Sequence, residues 1–297
     1  MLELFPGFTQ RRIRTRGATI NLVYAGQGPP LLLVHGYPET HSMWHKVAPH
    51  LARDYTVVCP DLRGYGDSSK PHGLSDHSNY SKRAMAEDMV EVMQRLGHRR
   101  FHVVGHDRGA RVAHRLARDH AARVRTLAVL DISPTLKMYE STDMAFARAY
   151  YHWFFLIQKP PLPETLLAGH VPSYILGRIG RGKSGLKHFD RRAVAEYVRA
   201  FRDPRTIHAT CEDYRAAAGI DLEHDRQDRR KKLQMPVLAL WGKHGVIEAM
   251  FDCLKDWREV ASNVAGRSID CGHFLPEEAP IQVLRELRRF VARHELR

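Results

Sequence analysis

The sequence predicts an α/β protein with a mostly parallel sheet flanked by helices and with an inserted helical cap. Three observations support this fold. Short, continuous apolar runs alternate with helical patterns, as in a parallel sheet that is covered on both faces. Small residues surround Asp107 at the junction between one apolar run and a helical pattern. The segment 136–225 is rich in aromatic residues and carries no strand signature.

The apolar runs that we interpret as strands lie in the first 130 residues and again near the C-terminus. A helix predicted from about Tyr80 to Leu96 precedes the run that leads to Asp107. The predicted strands are Thr19 to Tyr24, Leu31 to Val34, Tyr55 to Cys59, Phe101 to Val104, Val124 to Leu130, Pro236 to Trp241 and Arg267 to Ile269.

The change of pattern along the chain predicts two parts. Residues 1–135 and 226–297 should form the core, and residues 136–225 the cap, which is broken by Pro160-Pro161-Leu162-Pro163 and has a Gly-rich patch from Gly177 to Gly185. With 297 residues and 43% hydrophobic content, the chain can bury a core of this size.

Composition limits the location and the partners. No apolar run approaches the ~18 residues of a membrane span, and the N-terminus shows no signal-peptide pattern. Four widely spaced cysteines form no metal or redox motif. We therefore expect reduced thiols, a cytoplasmic location, no membrane partner, and neither metal nor cofactor.

The formal net charge of +13 raises the question of nucleic-acid binding. The basic residues are spread along the chain, and the one dense run, Arg226 to Lys232, is predicted to form a solvated helix face just before a strand. No interleaved aromatic residues or nucleic-acid motif accompany it. We expect no nucleic-acid partner, although a basic surface could attract small anionic substrates.

The stretch Gly105-His106-Asp107-Arg108-Gly109 lies between a predicted strand and a predicted helix. Strand, Gly-x-Asp-x-Gly, helix is the layout of a nucleophile elbow, with Asp in the place where hydrolases more often have Ser. The turn is tight, so a Cβ at either glycine would collide with neighbouring backbone. From these five residues alone, a Gly-bounded turn with a helix-capping Asp remains an equal alternative.

Other polar residues follow neighbouring strands, where open α/β sheets place their sites. Tyr37, in His35-Gly36-Tyr37-Pro38, could contribute a backbone N–H to an oxyanion hole together with that of Arg108. Asp131 follows one strand, and His273 follows another on a Gly-His loop. The chain order is then nucleophile, acid and histidine, the order expected of α/β-hydrolases.

The motifs together resemble those of the fluoroacetate (haloacetate) dehalogenases, α/β-hydrolases with an Asp nucleophile. The resemblance extends from about Phe5 to the last helix. It includes the stretches already described and further ones, namely Leu130 to Thr135, Ala149 to Trp153, Cys211 to Arg215 and Cys271 to Glu278.

This resemblance implies a role for each matching residue. Asp107 would be the nucleophile, His273 the base and Asp131 the acid that orients it. Arg108 and Arg111 would hold the substrate carboxylate. The halide would be received by three residues of the cap: His152, Trp153 and Tyr214. The resemblance also suggests a homodimer.

Arg108 argues for an acidic substrate, since relatives that act on haloalkanes or epoxides usually have Trp after the nucleophile. The chain departs from the family pattern in the mid-cap patch, where Arg178, Arg181 and Lys183 stand in a region that often contains Trp.

We therefore expect a cofactor-free hydrolase that converts a 2-haloacid, most plausibly fluoroacetate, to the hydroxy acid and halide. An ionised Asp suits displacement at saturated carbon, and His273 would then activate the water that hydrolyses the ester. The alternatives are an epoxide hydrolase, using Tyr214 with Tyr150 or Tyr151, and a receptor without turnover. Surface ion pairs for the arginines, and plain packing for the cap aromatics, are the structural alternatives.

Overall fold

The computed structural model describes residues 2–182 and 185–295. Its strands are β1 (Thr9–Arg14), β2 (Thr19–Ala25), β3 (Pro30–Val34), β4 (Thr56–Pro60), β5 (Phe101–His106), β6 (Val124–Leu130), β7 (Val237–Gly242) and β8 (Val264–Ile269). They form one sheet in the order β1-β2-β4-β3-β5-β6-β7-β8. Strands β1, β2 and β4 pair antiparallel, and all pairs from β4 to β8 are parallel. The predicted mostly parallel sheet is confirmed.

Helices cover the sheet and form the segment that separates β6 from β7. The helices of the first part are α1 (Ala48–Leu51), α2 (Lys82–Arg95) and α3 (Asp107–Asp119). Between β6 and β7 lie α4 (Thr135–Glu140), α5 (Met144–Ala149), α6 (Tyr151–Leu156), α7 (Leu162–Ala168), α8 (Val171–Ile179), α9 (Arg191–Phe201), α10 (Pro204–Ala218) and α11 (Ile220–Gln227). The last helices are α12 (Val246–Met250), α13 (Cys253–Val260), α14 (Leu275–Glu278) and α15 (Pro280–Glu295).

The central strands are buried on both faces, which explains their continuous apolar sequences. All six residues of β5 are buried, and so are Leu31 to Val34 of β3. Helix starts follow local signals: the Ser81 hydroxyl accepts a hydrogen bond from the Ala84 N–H at α2, and Asp203 caps α10 just before Pro204. Because the sheet core is covered by helices, its apolar strands could be recognised from the sequence.

Strand β1 was not predicted. It has the sequence Thr-Gln-Arg-Arg-Ile-Arg, and only Ile13 is buried. The strand lies at the edge of the sheet and pairs with β2 through Ile13 and Ile20. Charged, solvated side chains are common on edge strands because they discourage pairing with other chains. Such a strand has no apolar run from which it could be recognised.

The run from Arg226 to Lys232 is largely exposed, as predicted, but the predicted helix was wrong beyond its first two residues. Helix α11 ends at Gln227, and Asp228 to Arg230 form a turn. The Asp228 carboxylate accepts a hydrogen bond from Arg115, and the carbonyls of Asp228 and Lys231 accept from Arg118. These contacts with α3 compete with continuation of the helix.

The segment between β6 and β7 consists of helices joined by turns and loops in its described residues, 131–182 and 185–236, with no strand among them. Its longest helix, α10, packs against α6 and α7. The division into a core of 1–135 and 226–297 and a cap of 136–225 stays a prediction, and we keep the name cap for 136–225. The four cysteines, all in the described part, are unpaired and buried. None of the described helices is both long and apolar enough to span a bilayer.

Candidate active site

Asp107 stands where β5 ends and α3 begins, with a left-handed backbone conformation (φ 43°). The turn is crowded, as expected from the sequence: a Cβ on Gly105 would lie 2.5 Å from the Ala110 Cα, and one on Gly109 would lie 2.3 Å from the His35 carbonyl oxygen. A non-glycine residue with positive φ is strained. The neighbouring glycines therefore permit a turn that holds the Asp107 carboxylate at the start of a helix.

The Asp107 carboxylate is buried but surrounded by positive groups. Its Oδ2 accepts the Tyr37 N–H over 3.2 Å. Burial alone would raise the pKa of Asp107, but His273, Arg111, His106 and Arg108 together lower it below its usual value. The carboxylate is thus ionised at neutral pH, as a nucleophile must be.

His273 and Asp131 lie together, although 142 positions separate them in the sequence. The His273 Nδ1 is 2.5 Å from the Asp131 Oδ2, and the other oxygen, Oδ1, accepts the Gly242 N–H over 2.8 Å. Since an ionised carboxylate only accepts, Nδ1 carries the proton and Nε2 is left as the basic nitrogen. Asp131 also has a left-handed backbone (φ 55°). The pair has the geometry of a base and the acid that orients it.

His106 was not among the predicted site residues, but it contacts the backbone of His273. Its Nε2 donates to the His273 carbonyl oxygen over 2.8 Å, and its Nδ1 lies 3.3 Å from the buried Glu39 carboxylate. Burial opposes protonation, but Glu39 outweighs it and raises the pKa of His106 to about 9. The position of His106 directly before the nucleophile was the only sequence signal for this role.

Arg108 is fully buried, so the surface ion-pair alternative is wrong for it. Its Nε and Nη2 form a bidentate pair with the Asp213 carboxylate at 2.9 and 2.7 Å, and Nη2 also donates to the Asp213 carbonyl oxygen. Its Nη1 has no hydrogen-bond partner in the described chain. Most of the guanidinium donors are therefore already used, which leaves one edge for a substrate carboxylate.

Asp213 is the centre of a buried charge cluster that the sequence analysis missed. Lys82 contacts the Asp213 carboxylate, and the Tyr65 hydroxyl donates to it over 2.8 Å. Lys82 also lies 3.5 Å from the Asp221 carboxylate. These pairs hold α10 and α11 of the cap against α2 of the core.

Arg111 is also buried, but its contacts are with neutral groups. Its Nη1 donates to the Thr135 hydroxyl over 2.9 Å, its Nη2 lies 3.2 Å from the Met138 sulfur, and its Nε has no partner in 2–182 or 185–295. The guanidinium carbon lies 4.8 Å from the centre of the Trp153 ring. Unlike Arg108, Arg111 thus has no hydrogen bond to a carboxylate among the described residues, which makes it the better candidate for binding an anion.

The three cap residues assigned to the halide are all buried. The rings of His152 and Tyr214 are 5.8 Å apart, and Trp153 follows His152 on α6. His152 is 3% exposed, so it is not a surface residue. Among the described residues, no hydrogen-bond partner exists for His152 Nδ1, Trp153 Nε1 or Tyr214 Oη. Buried donors without partners are uncommon, since each one costs free energy.

The mid-cap patch contributes two arginines with different surroundings. Arg178 is buried and donates to His152, whereas Arg181 is exposed and donates to the Ala149 carbonyl oxygen. Arg181 lines a cleft of about 380 Å³ that reaches His273 and Phe274. Lys183 lies outside the described residues. The cleft gives His273 a route to solvent.

Two further observations concern a second cleft and possible metal sites. A larger cleft of about 700 Å³, lined in part by Arg12, Lys70 and Arg199, contains none of the candidate site residues. Within 2–182 and 185–295, no group of three or more His, Cys, Asp or Glu side chains is arranged to hold a metal ion.

Comparison with known proteins identifies a family to which this chain is similar. Residues 29–280 match the family model described as alpha/beta hydrolase fold. The chain is 46% identical to the fluoroacetate dehalogenase of Burkholderia sp, covering 97% of this chain and 95% of the relative. It is 35% identical to the soluble epoxide hydrolase of Corynebacterium sp. (strain C12), covering 96% and 97%. The crystal structure of an α/β hydrolase from Nostoc sp PCC 7120 superposes with a TM-score of 0.94 at 57% identity, covering 97% and 99%.

Proposed function

This chain belongs to the α/β-hydrolase family, and we propose that within the family it is a haloacetate dehalogenase that converts fluoroacetate to glycolate and fluoride. The observation that carries the proposal is the set of buried donors on His152, Trp153 and Tyr214 that have no partner among the described residues. Arg108 and Arg111, which follow Asp107 in the sequence, lie against the rings of Tyr214 and Trp153. Donors for a leaving halide and cations for a carboxylate are what a small haloacid requires.

In the first step, an Asp107 oxygen attacks the carbon that bears the halogen. A carbon–oxygen bond forms, the carbon–halogen bond breaks, and the halide leaves with the bonding electron pair. Arg111 and the free edge of Arg108 hold the substrate carboxylate, so that the carbon lies in line with the attack. The three cap donors stabilise the negative charge that develops on the halogen. Fluoride, a poor leaving group, needs them most.

In the second step, water attacks the carbonyl carbon of the Asp107 ester. The Nε2 of His273 accepts a proton from that water, and Asp131 stabilises the imidazolium that results. The N–H of Tyr37, which faces the Asp107 carboxylate, can stabilise the oxyanion together with the N–H of Arg108. The ester carbon–oxygen bond breaks, the imidazolium of His273 returns the proton to the departing alkoxide to give glycolate, and the Asp107 carboxyl group loses a proton to solvent and regains its charge.

A halide-release assay across fluoro-, chloro- and bromoacetate and a terminal epoxide tests the proposal. We expect stoichiometric halide and glycolate from the haloacetates, including fluoroacetate, and little diol from the epoxide. Diol formation without halide release from any haloacid would contradict it.

One observation favours epoxide hydrolysis as a second candidate. Tyr150 is buried near His152, so it could join Tyr214 in protonating an epoxide oxygen, whereas Tyr151 is 50% exposed and unsuited to that role. The 35% identical relative named soluble epoxide hydrolase is consistent with this alternative. The position of Arg108 directly after the nucleophile argues for an acid instead.

A receptor without turnover is the alternative outside enzymes, and it predicts no product at any protein concentration. The complete Asp107, Asp131 and His273 arrangement argues against it. For the remaining properties we keep the expectations from the sequence: a homodimer, a cytoplasmic location, a small 2-haloacid as the partner, and neither nucleic acid nor membrane.

A further inference from the structure

Arg178 has unusual surroundings for a buried arginine. It lies on α8 and is 6% exposed, and its Nε has no partner in the described chain. Its contacts are with neutral groups: the guanidinium carbon lies 5.8 Å from the centre of the Tyr151 ring, and the described residues give it no ion pair with a carboxylate. A buried cation without a counter-ion is costly. This cost indicates that Arg178 is kept for a task.

The one side-chain hydrogen bond that Arg178 makes within 2–182 and 185–295 joins it to the proposed halide site. Its Nη2 lies 3.2 Å from the Nε2 of His152. A guanidinium has donors and no acceptor, so His152 Nε2 must accept. A neutral imidazole carries only one ring proton, which then resides on Nδ1. That nitrogen is the buried atom without a partner in the described residues.

The electrostatic surroundings keep His152 neutral. Burial lowers the pKa of its imidazole well below the usual value, and Arg178, Arg181, His273 and Arg108 lower it further. A neutral ring with Nε2 occupied by Arg178 has one tautomer available, with the N–H on the side away from Arg178. Without Arg178, both tautomers would be accessible, and one of them presents a lone pair at Nδ1.

We propose that Arg178 is a positioning residue of the halide site, which holds His152 as the Nδ1–H tautomer and supplies positive charge behind the departing halide. This inference rests on the proposed function, because the halide is the leaving group of that reaction. It also gives the mid-cap departure from the family pattern a role: the buried position 178 requires a cation, while Arg181 at the cleft does not contact His152.

Nitrogen NMR of the resting protein, labelled at histidine, tests the tautomer without turnover. His152→Gln assigns the signal. We expect a protonated Nδ1 and an unprotonated Nε2 in the wild type, retained in Arg178→Lys, which keeps a donor and a charge, and mixed tautomers in Arg178→Met. A wild-type His152 protonated at Nε2 would overturn the proposal even if the methionine variant failed to fold.

Kinetics of the same variants test the charge. In Arg178→Met, we expect product inhibition by halide to weaken about 10- to 100-fold, as for the loss of a charge-assisted hydrogen bond. The turnover number for fluoroacetate should fall more than that for bromoacetate. Arg178→Lys should keep most of the halide inhibition and most of the fluoroacetate turnover of the wild type. Arg181→Met is the matched control: it removes a charge at the cleft mouth and should leave halide inhibition within about 3-fold.

The outcomes separate this inference from the proposed function. Wild-type halide release tests the function, whereas the His152 tautomer tests the positioning in the free protein. Unchanged halide inhibition in a folded Arg178→Met would overturn the role of Arg178 while leaving the dehalogenase intact. Loss of turnover only for 2-halosuccinate, with haloacetates unaffected, would also overturn it, because Arg178 would then bind a second substrate carboxylate.

Discussion

The core and the cap contribute side chains to the same site in different states of hydrogen bonding. In the core, Asp131 accepts hydrogen bonds from His273 and from the Gly242 N–H. Asp107 accepts a hydrogen bond from the Tyr37 N–H. In the cap, the ring N–H groups and the hydroxyl of His152, Trp153 and Tyr214 have no partner among the described residues. On the proposed mechanism, the core side chains are positioned before substrate binds, and the cap donors are available to the departing halide. Changes in the core should therefore affect every substrate, and changes in the cap should depend on the leaving group.

The largest expected effect is the loss of the nucleophile. Asp107→Ala should reduce halide release by about 10⁴-fold or more for every haloacetate, because the covalent step cannot occur. Thermal unfolding of the variant should stay close to that of the wild type, which controls for folding. Freshly prepared Asp107→Asn should be equally inactive. Turnover at the wild-type rate in either variant would exclude the covalent mechanism.

Removal of the base should separate the two chemical steps. His273→Asn should release about one equivalent of halide per active site and then stop, because attack by Asp107 needs no proton acceptor whereas ester hydrolysis does. Mass spectrometry of the peptide from Gly105 to Arg111 should show a carboxymethyl increment. In a single turnover of wild-type protein in heavy-oxygen water, the label should enter Asp107.

A His273→Asn protein without the adduct, combined with label that enters glycolate directly, would mean that His273 activates water against carbon. Asp131→Asn is the matched variant. It should slow the second step while leaving Nε2 in place, and it should accumulate the same ester.

Arg111 lies where core and cap meet, and it tests the carboxylate clamp. Arg111→Leu should cost about 2–5 kcal/mol of transition-state stabilisation with fluoroacetate, as for removing one partner of a buried charge pair. The neutral chloroacetamide should lose much less than chloroacetate. Equal losses of transition-state stabilisation for chloroacetamide and chloroacetate would show that Arg111 does not bind the substrate carboxylate. Arg108→Leu is a poorer test, because it would also leave Asp213 without its bidentate partner.

Two tryptophans allow a direct comparison between an indole N–H that is hydrogen-bonded and one that has no partner among the described residues. The Trp257 indole N–H donates to the Ile132 carbonyl oxygen over 2.9 Å, whereas that of Trp153 has no described partner. Trp153→Phe should reduce turnover of fluoroacetate by about 10- to 100-fold and that of bromoacetate less, with little loss of stability. Trp257→Phe should lower the unfolding free energy and leave the ratio of the two substrates unchanged. An equal effect of Trp153→Phe on both substrates would contradict its role at the halide.

The smallest expected effect is a change of stability with pH. The pKa of His106 is raised by Glu39 to about 9 in the folded protein, above its usual value near 6.5. A raised pKa contributes stability that is fully present below pH 6.5 and is lost as the pH rises through 9. Urea unfolding at pH 7 and pH 9.5 should show a decrease that is smaller in Glu39→Gln. The same decrease in both proteins would exclude this pair as its source.

The sequence predicted most of the core because its signals are local. Apolar runs mark the central strands, and the glycines at 105 and 109 mark the tight turn at Asp107. Edge strand β1 lacks such a run and was missed. The turn after Gln227 was misassigned as helix, since contacts of Asp228 with distant arginines are not visible in a local pattern.

Within the site, chemistry-bearing residues could be recognised, but their partners could not. Asp213 is 105 positions from Arg108, and the sequence analysis left unnoticed that it already holds that guanidinium. Likewise, nothing local indicated that Glu39 would face His106, or that Arg178 would donate to His152. Each of these pairs depends on how the cap and the loops pack over the sheet, which residue types alone do not specify.

The cluster around Asp213 has a consequence for how this sequence can diverge. Lys82, Arg108, Asp213 and Tyr65 share one buried set of contacts, and Lys82 also faces Asp221. Exchanging Arg108 for an uncharged Trp would remove the bidentate partner of Asp213 and leave Lys82 as the cation between two buried carboxylates. Removing one partner from a buried charge cluster is strongly destabilising. A change at position 108 is therefore tied to positions 82 and 213, and an exchange of Arg108 for an uncharged residue should be tolerated best together with a neutral residue at position 213. The cap donors share no such ion pairs among the described residues, so they can be exchanged one at a time.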